Sequence, residues 1–325
     1  MADSDKRILI LTDGKAGHEN QSRAFARALG GTCDLAQVKF SSKAAKALSY
    51  VLDHLGVRTH HLFAVDGEAQ AATCRYAAVI GTGSGTFYAA KTLARQLGTK
   101  CGVVLYPRGY AISSFDCILA PAFDRPPAAP NVVEIPANLV ASDAEFYATG
   151  TARFLDHYRQ TTGRALDASR PAVAAIVGGP NKCSTMTPEW MRGQLDRLFA
   201  AHDPAQHELW VTTSRRTPPE VEAVVDSYPW TYRLIYSMDH FNPIPAFVSL
   251  AKALYVTAES TGMLSEASTS GAATVHAMDN LKPGPYKFRR FLEDLRRGGY
   301  VDGARKIDLS GPFARARRLL GLAAT

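Results

Sequence analysis

The stretch ILILTDGKAGHENQSRAFARAL, residues 8–29, decides the fold. It opens with four consecutive apolar residues, which is typical of a strand that is buried on both faces of a parallel sheet. Gly14 and Gly17 then open a polar turn, and Phe25 and Leu29 follow at helical spacing. A buried strand, a glycine-containing turn and a helix form the repeating unit of an α/β protein.

The same unit recurs on both sides of residues 161–171, which lack periodicity and end in proline. Strand-like apolar runs occupy 7–12, 33–40, 77–83, 101–107, 115–121, 131–136, 172–180, 208–218, 233–237, the start of 254–271, and 273–278. We place the domain boundary in the aperiodic stretch. The sequence therefore predicts an α/β fold with two Rossmann-like, doubly wound parallel-sheet domains, residues 1–165 and 171–310, facing a central cleft. A helix at 311–325 could return to the first domain.

The composition is that of an ordinary globular protein. Of the 325 residues, 46% are hydrophobic and 21% are charged, which is enough apolar material for two cores. No apolar run approaches the roughly 20 residues of a membrane span, and the polar start is unlike a signal peptide. The cysteines are scattered without a CxxC pair, at Cys33, Cys74, Cys101, Cys117 and Cys183. This pattern predicts a reducing compartment, the cytoplasm, and neither disulfides nor a zinc site.

The net charge of +7 favours anionic partners, although a generally basic proteome explains it equally well. A nucleic-acid partner is not predicted, because the basic residues are spread out and no recognition motif is present. Residues 39–58 combine lysines with apolar side chains. They could lie on an anionic membrane surface, at its inner face, or form an amphipathic helix packed on the sheet. Both interpretations stay open.

Two strand ends in the second half carry groups suited to phosphate. Gly178 and Gly179 follow the first strand, and glycine lets backbone amides approach a phosphate closely, although a tight turn alone would also explain them. The second strand ends in Thr213, Ser214, Arg215 and Arg216. Hydroxyl groups and planar guanidinium groups at this density predict phosphate recognition.

A third strand end, in ESTGMLSEA (259–267), predicts an anion site at the start of a helix. Ser260 is expected to cap the helix and to leave the amides of Thr261 and Met263 facing a ligand. Glu266 would accept hydrogen bonds from ribose or sugar hydroxyls, or be an ordinary solvated side chain. These strand ends share one edge of one predicted sheet, so together they indicate a nucleotide or sugar-phosphate site.

The opening turn predicts acid–base chemistry. Histidine is the residue type that can accept a proton near neutral pH, and His18 lies at a strand-to-helix turn, where ligands bind in such sheets. Asp13 would orient it or act beside it. GTGSGT (81–86) is a further glycine-rich strand end that would line the same edge or form a flexible turn. No DxD run, HExxH or paired His/Cys accompanies these motifs, so neither a metal nor a cofactor is predicted.

Six motifs occur in an order that resembles one family over roughly residues 7–300. They are TDGKAGHENQ (12–21), APAFD (120–124), VGGPNK (177–182), TTSRRTP (212–218), FNP (241–243) and VTAESTGMLSEASTSG (256–271). The sequence is identified as a member of the mitochondrial fission ELM (elongated mitochondria) family of bacteria and plants, whose members are also described as glycosyltransferases. Phe123, Glu259, Gly262 and Ile244 depart from the usual family pattern.

The resemblance implies a GT-B fold, with the nucleotide sugar, UDP-linked, in the C-terminal domain and the acceptor in the N-terminal domain. The DGKAGH turn is similar to the GGTGGH turn of the N-acetylglucosaminyltransferase that forms lipid II, which implies that His18 is the base. Glu266 is expected beside the reacting groups. Arg216 and the helix beginning near residue 260 would stabilise the leaving diphosphate.

The expected function is metal-independent glycosyl transfer to an envelope glycolipid or polysaccharide. Two alternatives remain open at this point. One is another nucleotide-sugar enzyme, such as an epimerase, which needs no acceptor. The other is a non-catalytic adaptor on the same scaffold, which would not need Arg215 and Arg216.

Overall fold

A computed structural model describes residues 6–67, 75–140 and 142–322. Cys74 lies outside these ranges, and Cys33, Cys101, Cys117 and Cys183 form no disulfide. The chain divides into two compact units: unit 1 is Met1–Ala141 with Asp308–Thr325, and unit 2 is Ser142–Ile307. Within the described ranges, no helix is both long and apolar enough to cross a membrane.

Strands and helices alternate through both units. In chain order the elements are β1 (Arg7–Thr12), α1 (Ala16–Ala28), β2 (Thr32–Phe40), α2 (Lys43–His54), β3 (Phe63–Gly67), β4 (Ala78–Thr82), α3 (Phe87–Leu97), β5 (Lys100–Val104), β6 (Cys117–Pro121), β7 (Val132–Ile135), α4 (Ala144–Thr162), β8 (Ala172–Ile176), α5 (Pro188–Ala201), β9 (Glu208–Thr212), α6 (Pro219–Asp226), β10 (Tyr232–Leu234), α7 (Ile244–Leu250), β11 (Ala253–Thr257), α8 (Thr261–Thr269), β12 (Thr274–Met278), α9 (Lys287–Arg297) and α10 (Ser310–Leu319). The prediction of alternating strands and helices is confirmed, and β3 is an addition to it.

Unit 1 contains a seven-stranded sheet in the order β3-β2-β1-β4-β5-β6-β7. Its strands are parallel except for the edge strand β3, which runs antiparallel to β2. Successive side chains of β1 enter opposite cores, because side chains alternate along a strand. Ile8 and Ile10 pack with α1 and α10, whereas Leu9 and Leu11 pack with α2 and α3. Complete burial of each such side chain contributes roughly 1.5–3 kcal/mol.

Helix α10 completes one face of the unit 1 sheet. It packs against β6 and β7, where Ala316 and Leu320 join the core that contains Leu119 and Ile135. The Arg317 guanidinium donates a hydrogen bond of 2.6 Å to the carbonyl oxygen of Ala28 at the end of α1. The chain therefore leaves unit 1 before α4 and comes back to it at α10.

A buried ion pair joins α2 to α3. The ammonium of Lys91, only 3% exposed, donates to Asp53 Oδ1 at 2.8 Å and lies 3.9 Å from the centre of the Phe115 ring. Burial lowers the pKa of Lys91 to about 8, although the hydrogen bond that its ammonium donates to Asp53 opposes this shift. Asp53 also pairs with Arg58 at 3.1 Å. These contacts fix the inner face of α2 on the unit.

Unit 2 contains a five-stranded, wholly parallel sheet in the order β10-β9-β8-β11-β12. This is the doubly wound order, in which the strands run outward in both directions from β8. Helices α5 and α6 cover one face through a core that includes Leu195 and Val225. Thr187 caps α5 by accepting a hydrogen bond from the amide of Trp190, and Pro188 occupies its first turn.

Helix α4 belongs to unit 2, which differs from the predicted boundary at residues 161–171. Phe154 is fully buried, and its ring centre lies 5.1 Å from that of Trp210 and 5.7 Å from that of Phe247. The Tyr158 hydroxyl donates to the buried carboxylate of Glu208 at 2.7 Å. The aperiodic stretch after α4 is therefore a loop inside unit 2, and the units divide before α4.

Candidate functional site

In unit 1, the turn between β1 and α1 places His18 against Asp13. The imidazole Nδ1 lies 3.0 Å from Asp13 Oδ1 and 3.2 Å from Oδ2. Lys15 donates to Oδ2 at 2.8 Å, so the carboxylate holds both neighbours. With Nδ1–H donating to the carboxylate, the lone pair of His18 is on Nε2, where it can accept a proton.

Burial and two neighbouring side chains determine the pKa of the Asp13 carboxyl. Burial alone would raise its pKa, but the hydrogen bond from Lys15 and the charge of His18 outweigh burial and lower it. Asp13 therefore stays ionised at neutral pH. An ionised carboxylate beside an imidazole stabilises the imidazolium that forms when the ring takes up a proton.

The glycine-rich turn between β4 and α3 closes around this pair. A Cβ on Gly83, whose φ is +81°, would lie 2.3 Å from the His18 ring, and a Cβ on Gly85 would lie 2.7 Å from Asp13 Cβ. Thr86 ties the turn through a hydroxyl hydrogen bond of 3.0 Å to the Gly83 carbonyl. The structure thus brings two predicted motifs together, and it gives the second one a role as a cradle for the histidine.

The predicted phosphate turns of unit 2 also meet, but through different atoms than expected. The amide of Gly178 donates to Thr257 Oγ1 at 2.8 Å, and the amide of Gly179 donates to the Glu259 carboxylate. A Cβ on Gly178 would lie 2.0 Å from Glu259 Oε1, and one on Gly179 would lie 2.2 Å from the Arg216 carbonyl oxygen. Both amides are engaged within the protein, so these glycines allow close packing of strand ends instead of presenting free amides.

The turn after β9 separates into buried and exposed parts. Thr213 is buried, donating to Glu222 at 2.6 Å and accepting from the Tyr236 amide at 2.7 Å, which differs from its predicted contact with phosphate. The Ser214 hydroxyl is 3.2 Å from that of Thr217. Arg215 and Arg216 are exposed, and neither guanidinium has a hydrogen bond or ion pair with any residue that the structure describes. The two arginines are therefore the groups of this turn that are free to meet an anion.

The start of α8 differs from its predicted capping. Ser260 occupies the N-cap position, but its side chain forms no capping hydrogen bond. The helix begins at Thr261, and Thr261 and Met263 are partly exposed in its first turn. Amides at the start of a helix have no acceptor within the helix and carry the positive end of its dipole. Since Ser260 does not occupy them, they remain donors for an anion.

Glu266 is tied to the start of α4. Its Oε1 accepts hydrogen bonds from the Tyr147 hydroxyl at 2.9 Å and from the Ser142 hydroxyl at 3.3 Å. Burial, together with the Glu266 charge, raises the pKa of Tyr147 to about 12, so its hydroxyl stays protonated and donates. No described residue hydrogen bonds to Oε2, which leaves this oxygen for a hydroxyl of a ligand.

Glu259 lies among the candidate site residues, although the sequence analysis names it only as a departure from the family pattern. It is 2% exposed, and its carboxylate accepts from Thr257 Oγ1 at 3.0 Å and from Asn280 Nδ2 at 2.7 Å. Burial raises its pKa even though these hydrogen bonds favour the ionised form. A carboxylate that joins the ends of β8, β11 and β12 sets the shape of this edge. The signal available in the sequence is an acid at the second position after a buried strand.

Helix α2 and the residues that follow it present an apolar surface to solvent. Leu48, Val51, Leu55 and Val57 are 46%, 57%, 69% and 45% exposed. The one acid of α2 is the buried Asp53, and Lys43 is exposed at its start. Lys46 donates to the Ser84 hydroxyl of the glycine-rich turn at 3.0 Å. The helix is thus amphipathic and packed on the sheet, and its outer face is apolar with a basic end.

Among residues 6–67, 75–140 and 142–322, no group of three or more His, Cys, Asp or Glu side chains is placed to hold a metal ion.

The two units define the class of the protein: an α/β protein of GT-B-like fold, with one doubly wound sheet in each unit. A Listeria monocytogenes protein assigned as a UDP-N-acetylglucosamine 2-epimerase is similar at 9% identity and a TM-score of 0.50, with 97% of this chain and 91% of that chain covered. A family 9 glycosyltransferase of Veillonella parvula matches at 11% identity and 0.41, covering 99% of each chain. ADP-heptose lipopolysaccharide heptosyltransferase II of E. coli matches at 10% and 0.41, covering 90% and 98%. At such identities the likeness to the Listeria structure shows the fold and not the reaction.

The family of the chain follows from a comparison of its sequence with models of protein families. The family model described as Mitochondrial fission ELM1 matches residues 16–314, so the chain belongs to this family, as its motifs predict. No curated protein sequence matches the chain.

Proposed function

We propose that the protein is a glycosyltransferase that moves a sugar from a nucleotide sugar to a hydroxyl group of an envelope glycolipid or polysaccharide. The observation that carries this proposal is the His18–Asp13 pair, 3.0 Å apart and enclosed by glycines at the carboxyl end of the unit 1 sheet. The glycines let the turn pack directly against the ring and Asp13, while the His18 side chain stays 24% exposed, and open α/β sheets bind ligands at this edge.

His18 acts as the general base in the proposed reaction. Its Nε2 removes the proton of the acceptor hydroxyl as the oxygen attacks the anomeric carbon of the donor sugar. The bond between the anomeric carbon and the phosphate oxygen breaks, and the nucleoside diphosphate leaves. Asp13, whose pKa the hydrogen bond from Lys15 and the charge of His18 lower, is ionised and stabilises the imidazolium that results.

In the proposal, the nucleotide sugar is bound by side-chain atoms and amides of unit 2 that have no partner among the described residues. Arg215 and Arg216 neutralise the diphosphate, together with the first-turn amides of α8. Glu266 Oε2 accepts a hydrogen bond from ribose or from the sugar. Positive side chains and a helix dipole supply the charge stabilisation, so the proposed reaction is metal-independent. A UDP-linked donor is the first choice to test, because the similar Listeria protein is named for UDP-N-acetylglucosamine.

The outer face of α2 is proposed to lie on an anionic membrane surface. Exposed leucine and valine side chains with lysine at one end and no exposed acid suit a surface of acyl chains under acidic headgroups. Because Lys46 of the same helix contacts the Ser84 turn, this position would bring the histidine cradle close to lipid-linked acceptors. The protein would then work in the cytoplasm, at the inner face of the membrane.

Calorimetry with UDP and UDP sugars tests the donor site. We expect the wild type to bind one of them and Arg216→Ala to bind it at least about tenfold more weakly, since a charge-assisted hydrogen bond is lost. Arg192→Ala is the matched control, because Arg192 is an exposed arginine of α5, 56% accessible and outside the candidate site. If folded wild type binds no nucleotide or nucleotide sugar, the transferase proposal fails.

A further inference from the structure

Unit 2 contains a cavity whose wall includes none of the residues proposed to bind the nucleotide sugar. It measures about 340 Å³ and lies where the first half of α4 meets the start of α7. The two helices approach closely at Gly150, where a Cβ would lie 2.5 Å from Pro245 Cβ. The cavity opens beside this contact, and the rings of Phe146 and Phe241 form part of its wall.

Phe241 is a pre-positioned aromatic surface in this wall. Its ring stacks on the His157 imidazole, with centres 4.3 Å apart and planes 8° apart. His157 is itself held at both nitrogens, by Asp239 Oδ2 at 2.9 Å and by the hydroxyl of the buried Tyr232 at 3.0 Å. One face of the phenyl ring is thus covered, and the ring is fixed in orientation. A fixed aromatic face is ready to stack against a ligand without loss of side-chain freedom.

The second ring is exposed to solvent although it is large and apolar. Phe146 is 45% exposed and meets Tyr147 edge-on, with ring centres 5.6 Å apart. It follows Asp143, whose Oδ1 caps α4 by accepting from the Phe146 amide at 2.8 Å. The cap fixes the start of the helix and therefore the position of this ring.

The polar groups of the wall select the kind of ligand. Asp143 and Glu145 carry negative charge and Arg153 carries positive charge, so the wall has one net negative charge. Glu145 and Arg153 are exposed, and no described residue pairs with either side chain. Asn242 adds an amide at the same wall. This mixture of donors and acceptors, with a net negative charge, disfavours a phosphate or another anion and suits a neutral molecule with many hydroxyl groups.

We propose that this cavity binds a saccharide. The apolar C–H face of a sugar ring stacks on Phe241, and its hydroxyl groups donate to Glu145 and accept from Arg153 and Asn242. A volume of about 340 Å³ is in the range of small-molecule sites. The role of the bound sugar as part of a polysaccharide acceptor rests on the proposed function, whereas the binding itself does not.

Saturation-transfer NMR with chitotetraose, cellotetraose and maltotetraose, at millimolar concentration and without nucleotide, tests this site on the full chain. We expect transfer to the ring protons of at least one of them. Phe241→Ala should abolish it, and Glu145→Gln should weaken the affinity by about tenfold through loss of a charged acceptor. Glu145 is exposed, so this second variant keeps the test valid if loss of Phe241 disturbs folding.

Two variants separate this proposal from the proposed function. Arg216→Ala and His18→Ala should leave saccharide binding unchanged, because neither residue lines the cavity. Absence of transfer from all three tetrasaccharides to folded protein would overturn the proposal, as would unchanged binding in both cavity variants. Competition between UDP and the tetrasaccharide would also overturn it, because the cavity would then belong to the nucleotide.

Discussion

Replacing Glu259 by alanine should destabilise unit 2 by about 3–4.5 kcal/mol. The carboxylate accepts hydrogen bonds from Thr257, Asn280 and the amide of Gly179 in a place that is 2% exposed. A buried donor that loses its acceptor costs about 1–1.5 kcal/mol, and three such donors give this sum. For a unit of this size, the midpoint of thermal unfolding should fall by about 6–18 °C.

Glutamine at this position is expected to be nearly neutral, within about 1 kcal/mol. Its amide oxygen can accept as Oε1 does, while its NH₂ group would face the NH₂ group of Asn280. The Oδ1 of Asn280 is buried and has no hydrogen-bond partner among the residues that the structure describes, so a rotation of that amide would offer an acceptor. The comparison of alanine with glutamine therefore separates lost hydrogen bonds from lost charge.

The stability of the protein should depend on pH through Glu259, in a direction that its pKa shift determines. Burial raises the pKa of Glu259, so folded protein binds this proton more tightly than unfolded protein does. Stability from this group is present at low pH and is lost as pH rises from about 4.5 through the raised pKa. Glutamine has no such loss, so its stability relative to the wild type should improve between pH 4 and pH 7.

Differential scanning calorimetry at both pH values provides the measurement. Glu293→Ala is the control, since Glu293 is an exposed acid on α9 of the same unit. The reasoning is refuted if Glu259→Ala unfolds at the same temperature as the control, or if glutamine destabilises as strongly as alanine does.

Three further outcomes are expected. Gly83→Ala should lower transferase turnover about a hundredfold, because a new Cβ would approach the His18 ring to 2.3 Å and displace it. Gly17→Ala is the control and should keep full turnover, since a Cβ there would meet no atom within 4 Å. Equal turnover of the two variants would contradict a role of the glycine-rich turn in positioning His18. Leu55→Asp should reduce co-sedimentation with anionic vesicles at least about fivefold, and Met238→Asp, at a 79% exposed site in unit 2, should not. Burial lowers the pKa of His202, so the folded protein should lose stability as pH falls below about 6.5; His202→Gln should lose less than the wild type over this range in urea unfolding, and an equal loss would contradict the assignment.

The strand ends could be predicted from the sequence because the strands of a parallel sheet are continuous apolar runs. Polar residues directly after Thr12 and Thr212 mark where those strands leave the sheet. The sequence predicts the His18 turn in this way, and because Asp13 and His18 lie on one short turn, their side chains can meet.

The orientation of individual side chains could not be predicted in this way. Thr213 and Arg216 are three residues apart in one motif, yet one is buried and the other exposed, because the strand pleat and the turn decide which way each points. Glycine has a similar ambiguity: at Gly178 its missing side chain makes room for a carboxylate of the protein and not for a ligand. Phe154 assigns α4 to unit 2 through contacts with residues far along the chain, which no local pattern reveals.

The return of α10 to unit 1 has a consequence for the order in which a ribosome delivers the chain. Every strand of both sheets leaves the ribosome before α10 does, and unit 2 is contained in one uninterrupted segment. Unit 2 can therefore fold while synthesis continues. The face of unit 1 that includes Leu119 and Ile135 must wait for Ala316 and Leu320. A stop codon before α10 would spare unit 2 and leave that apolar face bare, so the truncated product should be one that chaperones retain.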